Sequence, residues 1–249
     1  MLTVILQWGY LLCISYCLGF LFSLFCEKVL GYRFERIEAY LLTGIIILTV
    51  YAQFFSLFYK VGIIANVILI VITALIVLWK RKALASRISV AWQGSSVLFK
   101  VVVLVLFVMW AFFTSRGYMM YDTDLYHAQS IQWIEEYGVV KGLGNLHNRF
   151  AYNSSVFSLH ALLSMKYLTG GISLHTANGF IAFLLSIATV KIGQAWKRKK
   201  LRLSDYARIG AIYYLTTICD EVLAPSSDYS VMCMVFFIII TWLDLLEQK

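Results

Sequence analysis

Along most of the chain, polar positions do not recur at a helical or strand period; they are absent for whole stretches. Seven runs are predominantly apolar: Val4 to Phe25, Ala39 to Phe58, Ile63 to Trp79, Val97 to Thr114, Leu174 to Ala195, Ile209 to Leu223 and Tyr229 to Leu246. A run of about 20 apolar residues is long enough to cross a bilayer as a helix. Lipid offers a backbone no hydrogen bonds, so each run is read as a helix and the fold as all-α and polytopic, with about seven spans. Between Ser115 and Ser173 the pattern changes to a mixture, which marks one large loop carrying short juxtamembrane helices.

Composition supports this reading: 61% of the 249 residues are hydrophobic, 16% are aromatic and only one is proline, with a mean hydropathy of +0.79. Such values exclude an ordinary soluble domain. The first run has no Lys or Arg before it and no small-x-small site after it, so it is expected to stay as a span and not to be cleaved. Cys13, Cys17, Cys26, Cys219 and Cys233 fall in or at the edges of apolar runs without a CxxC pair, which supports neither zinc nor a disulfide framework.

The net charge of +8 is better read by position than by sum, and so does not point to nucleic acid. Lys80, Arg81, Lys82 and Arg87 form one basic cluster; Lys197, Arg198, Lys199, Lys200, Arg202 and Arg208 form another. The positive-inside rule places both in the cytoplasm, beside anionic headgroups. The span ending at Thr114 then runs outward, and the loop 115–173 lies outside. Asp228, in the turn "APSSDYS", comes to the same face as Asp122 and Asp124, and the N-terminus is also outside. The segment "AYNSSVFSLHALLSMKYL" has no room for a full crossing; it reads as an amphipathic helix at the outer interface or dipping partway in.

"TDLYHAQSIQWIEEYG" reads as a helix begun by Asp122 or Thr123 and stopped by Gly138, with Leu125, Ala128, Ile131 and Ile134 as its apolar stripe. Asp124 and His127, three apart, are expected on one face where they can converge on a ligand. Beyond them, Gly142 and Gly144 loosen a segment that carries Lys141, Asn145, His147 and Arg149. Every one of these residues also has a plainer reading. Asp122, Asp124 and Asp228 suit helix N-termini as caps; His127 and His147 suit interfacial hydrogen bonding; Asn153-Ser154-Ser155 is formally a glycosylation sequon. The convergence of distant carboxylates on one face is harder to explain that way, because ionisable groups at a membrane cavity are functional suspects. The roles of Asp220 and Glu221 stay open.

The span ending at Thr114, "YDTD" just beyond it, the helices that follow and Asp228 two spans later resemble the GT-C superfamily of membrane glycosyltransferases. The longer string "DTDLYHAQSIQWIEEYGVVKGLGNLHNRFAYNSSVF", with "APSSD" later, is similar to a group of uncharacterised bacterial multi-spanning proteins near that superfamily. The resemblance covers residues 97–246. It implies a three-span region over 1–96 and a GT-C-like core over 97–249, in a bacterial plasma membrane with an extracytoplasmic active face. GT-C enzymes usually have several more spans, so a shortened member is expected.

The implied reaction moves a sugar from a polyprenyl-phosphate carrier to an envelope glycan, lipid or protein. Its proton acceptor would be Asp122 or Asp124, with Asp122 preferred for its place at the start of the helix. Arg149, backed by Lys141 and His147, would bind phosphate, with His127, Asn153 and Asp228 completing the substrate site. Asp124 with Asp228 could share a magnesium or manganese ion. Competing readings are a non-catalytic polymerase or flippase-type component of polysaccharide assembly, a transporter, and a structural subunit.

Overall fold

The computed structural model describes residues 1–247. Its ten α-helices are α1 (Leu2–Leu30), α2 (Ile37–Ser56), α3 (Ile63–Gln93), α4 (Val97–Arg116), α5 (Ala128–Tyr137), α6 (Ser155–Leu163), α7 (Ala177–Thr189), α8 (Gly193–Arg198), α9 (Leu203–Ile218) and α10 (Ser227–Leu246). Six helical segments are long and apolar enough to cross a membrane: α1 to α4, Ala177–Trp196 (α7 continued through α8) and α10. This is an all-α, multi-pass membrane protein. The seventh expected span is covered by α9, which stops at Ile218 after 16 residues.

Although short, α9 joins the two ends of the bundle. Near its start, Ser204 donates to Glu247 just past α10 at 2.6 Å; beyond its end, the Asp220 carbonyl accepts from the Tyr118 amide at 3.1 Å. The starts of α1, α3, α7 and α10 and the ends of α2, α4 and α9 share one end with the loop 117–176. There Trp8 donates to the Thr176 carbonyl at 3.2 Å, Val139 to Ser56 at 2.8 Å and Val61 to Ile134 at 3.0 Å. The basic clusters share the opposite end. The first of them is not a loop, as α3 bends at Lys80 and continues to Gln93. Its far half is tied back by Arg87 to Glu27 at 2.8 Å and by the Tyr16 hydroxyl donating to the Leu84 carbonyl at 3.1 Å.

Between lipid-immersed helices close packing replaces the hydrophobic effect as the associating force, and small residues permit it. The most extensive helix pair, α1 against α2, depends on this. A Cβ at Gly19 would overlap the Tyr40 carbonyl, and one at Gly44 the Ser15 carbonyl. At the centre, every residue of α7 from Ala177 to Ser186 is buried. Trp8 of α1 packs against Phe180 of α7 and Phe107 of α4 at ring separations of 5.5 and 5.4 Å, so the first three helices and the remainder share one core. α3 and α4 instead present Ile70, Val71, Leu75, Val101, Leu104 and Val105 outward, a surface suited to acyl chains.

The structure corrects the expectation for α6 in its amphipathic character and its interfacial alternative, not in the alternative that dips partway in. Val156 to Leu163 are all buried, so the helix is neither amphipathic nor laid on the surface. Its last carbonyls, which no helix can satisfy internally, are capped by spans. Asn66 of α3 donates to Leu162 at 2.9 Å, and Gln7 of α1 donates to Leu163. Ser158 reaches Gln53 of α2 at 2.9 Å.

Candidate functional site

The loop after α4 re-enters a helix at Tyr121, and its first turns carry the acidic motif. Over Thr123–His127 the helix widens to a π turn, with the Ala128 amide donating to the Thr123 carbonyl. Such a turn inserts one extra residue into the helical register and is often found at functional sites. Here it turns Tyr126 and His127 inward, 8% and 3% exposed, and leaves Asp124 facing solvent. Asp124 and His127 therefore do not share a face, contrary to their three-residue spacing. The same shift leaves Ala128 exposed and buries Glu135, where Lys166 holds it at 2.9 Å.

Asp122 is helical, not a cap, and its side chain makes no capping bond. Its carboxylate instead accepts from the Arg149 guanidinium at 2.6 Å, with both side chains about one-third exposed. Arg149 lies over the Tyr126 ring, 5.3 Å from its centroid, a favourable cation–π placement. Its backbone amide donates to Nδ1 of His147 at 3.3 Å, which caps the short 3-10 turn Asn148–Tyr152. Asp228 is likewise not the cap of its helix. Ser226 takes that role, accepting from the Asp228 amide at 3.3 Å, and the Asp228 carboxylate is left exposed.

Asp228 is nonetheless close enough to act on the same two rings as Asp122. The Tyr126 hydroxyl is pushed up by burial and by the negative charges of Asp122 and Asp228, against the pull of Arg149. Burial pushes His127 below the usual histidine value despite those same carboxylates, so its ring is neutral at pH 7. That ring lies 5.2 Å from the Phe157 ring of α6, tilted by 49°.

Asp122, Arg149, His147, His127 and Asp228 thus belong to one corner, built around Tyr126. Lys141 and Asp124 are exposed, with no ion pair among the described residues. Asn153, in a left-handed conformation at φ 40°, lines a cleft of about 290 Å³ between α5, the glycine segment and the start of α6, with Trp133, Gly142, Gly144, Phe150 and Phe157. The cleft has the volume of a small-ligand site and shares Phe157 with the corner, but no carboxylate lines it. Among the described residues no three His, Cys, Asp or Glu side chains gather as a metal-holding group.

Sequence reasoning missed Tyr126 as the floor of the corner, because at 3.6 residues per turn it falls outside the stripe of Leu125, Ala128, Ile131 and Ile134, yet it is buried. It also missed the polar layer beneath. His160 is fully buried with both ring nitrogens unpartnered, next to His175 at 5.7 Å. Asn178 donates to the Ala224 and Ser226 carbonyls at 2.8 and 2.9 Å, which fixes the turn that carries Asp228. The available signal was an isolated polar residue inside an apolar run.

No curated protein and no solved structure matches the chain. A family model described as "Domain of unknown function (DUF8201)" matches residues 1–249, and the chain belongs to that family.

Proposed function

We propose that this protein transfers a sugar from a polyprenyl-phosphate carrier to a glycan, lipid or protein acceptor on the extracytoplasmic face of a bacterial plasma membrane. The observation that carries the reading is the use made of Asp122. It caps nothing, and it is held about one-third exposed by Arg149 at the edge of the bundle, with Asp228 acting on the same rings. The likeness of "YDTD" and its following helices to GT-C enzymes supports the same class.

In the proposed reaction the acceptor hydroxyl attacks the anomeric carbon. The bond from that carbon to the phosphate oxygen breaks with its electron pair leaving on the phosphate, and the hydroxyl proton passes to Asp122. A positioned base of this kind contributes typically 10²–10⁴-fold in rate. Arg149 neutralises the leaving phosphate through its planar fork of donors. Since Arg149 rests on Asp122, an arriving phosphate that draws the guanidinium away also frees the carboxylate, which couples carrier binding to the release of the base. His127 is neutral and buried; it supports Tyr126 and does not neutralise charge. His147 sets the Arg149 backbone, and Trp133 with Asn153 offers a flat ring and an amide for the sugar. Asp124, exposed two residues on, is the alternative base. The divalent cation expected between Asp124 and Asp228 is not part of this reading, because no metal-holding group gathers there among the described residues.

The test is to express the chain with its genomic neighbours and compare surface glycans for wild type, Asp122→Asn, Asp124→Asn and Arg149→Ala. Loss with Asp122→Asn and Arg149→Ala is expected. Glycans unchanged by all three, while deletion alters them, would sink the assignment. Loss with Arg149→Ala alone would favour a polymerase or flippase-type component that handles the lipid-linked glycan without acid–base work.

A further inference from the structure

At the end of the bundle opposite the loop, the chain builds a second polar site. A cavity of about 70 Å³ opens where α2 begins, α8 and α9 meet and α10 ends, and Arg36, Lys191, Arg198, Arg202 and Arg208 contribute five cations to its wall, with Asp244 as the only acid there. The nearby carboxylates are already engaged. Asp205, fully buried, accepts from Arg198 at 2.5 Å and Arg208 at 3.1 Å. Asp244 holds Arg208 at 2.6 Å and also Arg36, and Glu247 binds Ser204.

Two kinds of unmet demand remain. The side chains of Lys191 and Arg202 form no ion pair among the described residues, although the Arg202 backbone amide donates to Asp205 at 2.9 Å. Nη1 of Arg36 and Nε of Arg198 are buried with no hydrogen-bond acceptor. A buried guanidinium N–H without an acceptor is costly, and two such donors beside two unpaired cations around one small cavity are satisfied together by a multivalent oxyanion.

We propose that this cavity binds a phosphate-class anion, one tetrahedral group with its oxygens taken by Arg36, Lys191, Arg198 and Arg202. Guanidinium forks match phosphate oxygens in pairs, and the volume suits a single such group. The phosphate can come from two sources: the headgroup of an anionic lipid, or free phosphate. Trp196 and Trp242, 90% and 60% exposed at this end of the bundle, are the residue type that settles at headgroup level, which makes the lipid source reachable. This site is remote from the Asp122 corner and does not depend on the proposed reaction.

The experiment uses the full chain in nanodiscs of phosphatidylcholine alone or with phosphatidylglycerol. The thermal midpoint is read for wild type and for Lys191→Gln/Arg202→Gln, which removes two cations whose side chains form no ion pair among the described residues. In neutral discs inorganic phosphate is expected to raise the wild-type midpoint by roughly 2–4 °C in a saturable way, and the rise should vanish in the variant. If phosphatidylglycerol raises the midpoint and removes the further response to phosphate, the site takes the lipid headgroup. If phosphatidylglycerol does neither, the site takes free phosphate. The proposal is overturned if neither probe shifts the wild type, if sodium chloride at equal ionic strength gives the same shift, or if the variant responds like wild type. Should the variant fail to fold, Arg202→Gln alone, at a more exposed position, gives the same comparison.

Discussion

Each end of the bundle holds an Arg–Asp pair, and the two pairs are built differently. At the basic end, Arg208 and Asp205 are 3% and 0% exposed and belong to a network that ties α9 to α10. At the loop end, Arg149 and Asp122 are 36% and 35% exposed and tie together only two parts of one loop. Breaking a buried pair leaves an uncompensated charge and costs about 3–5 kcal/mol, whereas an exposed pair is worth about 0–1 kcal/mol. The first pair is explained by the structure it holds. The second is expected to contribute about 0–1 kcal/mol to folding, which leaves it free to open as the proposed reaction requires.

The comparison can be broken or sharpened by substitution and by pH. The largest effect is expected from Gly44→Leu, because the overlapped atom is the Ser15 backbone carbonyl, which cannot swing aside. Folded protein should not be recovered from membranes, as gauged by monodispersity on size exclusion. Next, Asp205→Ala strips Arg208 and Arg198 of a fully buried partner and should cost about 3–5 kcal/mol in detergent unfolding. A loss under 1 kcal/mol would erase the distinction between the two ends.

Acidification tests the buried histidines of the corner and of the layer beneath it. His127, His160 and His175 are all pushed below the usual histidine value by burial. The unfolded chain therefore binds more protons than the folded one once pH falls below 6.5, and stability declines from there downward. The slope is up to about 1.4 kcal/mol per pH unit for each histidine. His160→Phe should flatten the slope by one group's worth, and a pH-independent midpoint between 7 and 5 would contradict the burial. The smallest effect on stability, about 1 kcal/mol or less, is expected from Arg149→Ala, one of the two substitutions expected to abolish the glycans.

Much of this was legible in the sequence. The apolar runs gave the helices, and the two basic clusters, together with alternation, put Asp228 at the same end as Asp122, where the structure has it. Three features were hidden for physical reasons. Helix periodicity assumes 3.6 residues per turn, so the π turn that separates Asp124 from His127 leaves no trace in the spacing. The burial of α6 depends on Asn66 and Gln7, more than 90 residues away in sequence, and no local pattern encodes such partners. The ambiguity of Asp122 between cap and site could be resolved only by seeing that Arg149, 27 residues on, takes its carboxylate.

The most direct measurement pairs stability with function in Asp122→Asn. The unfolding free energy in detergent and the surface glycans of a complemented deletion strain are compared with those of wild type and Asp205→Ala. If the exposed corner is kept for chemistry, Asp122→Asn stays within about 1 kcal/mol of wild type and fails to restore the glycans. Restored glycans, or a loss of stability as large as that of Asp205→Ala, would show that the corner is one more structural tie.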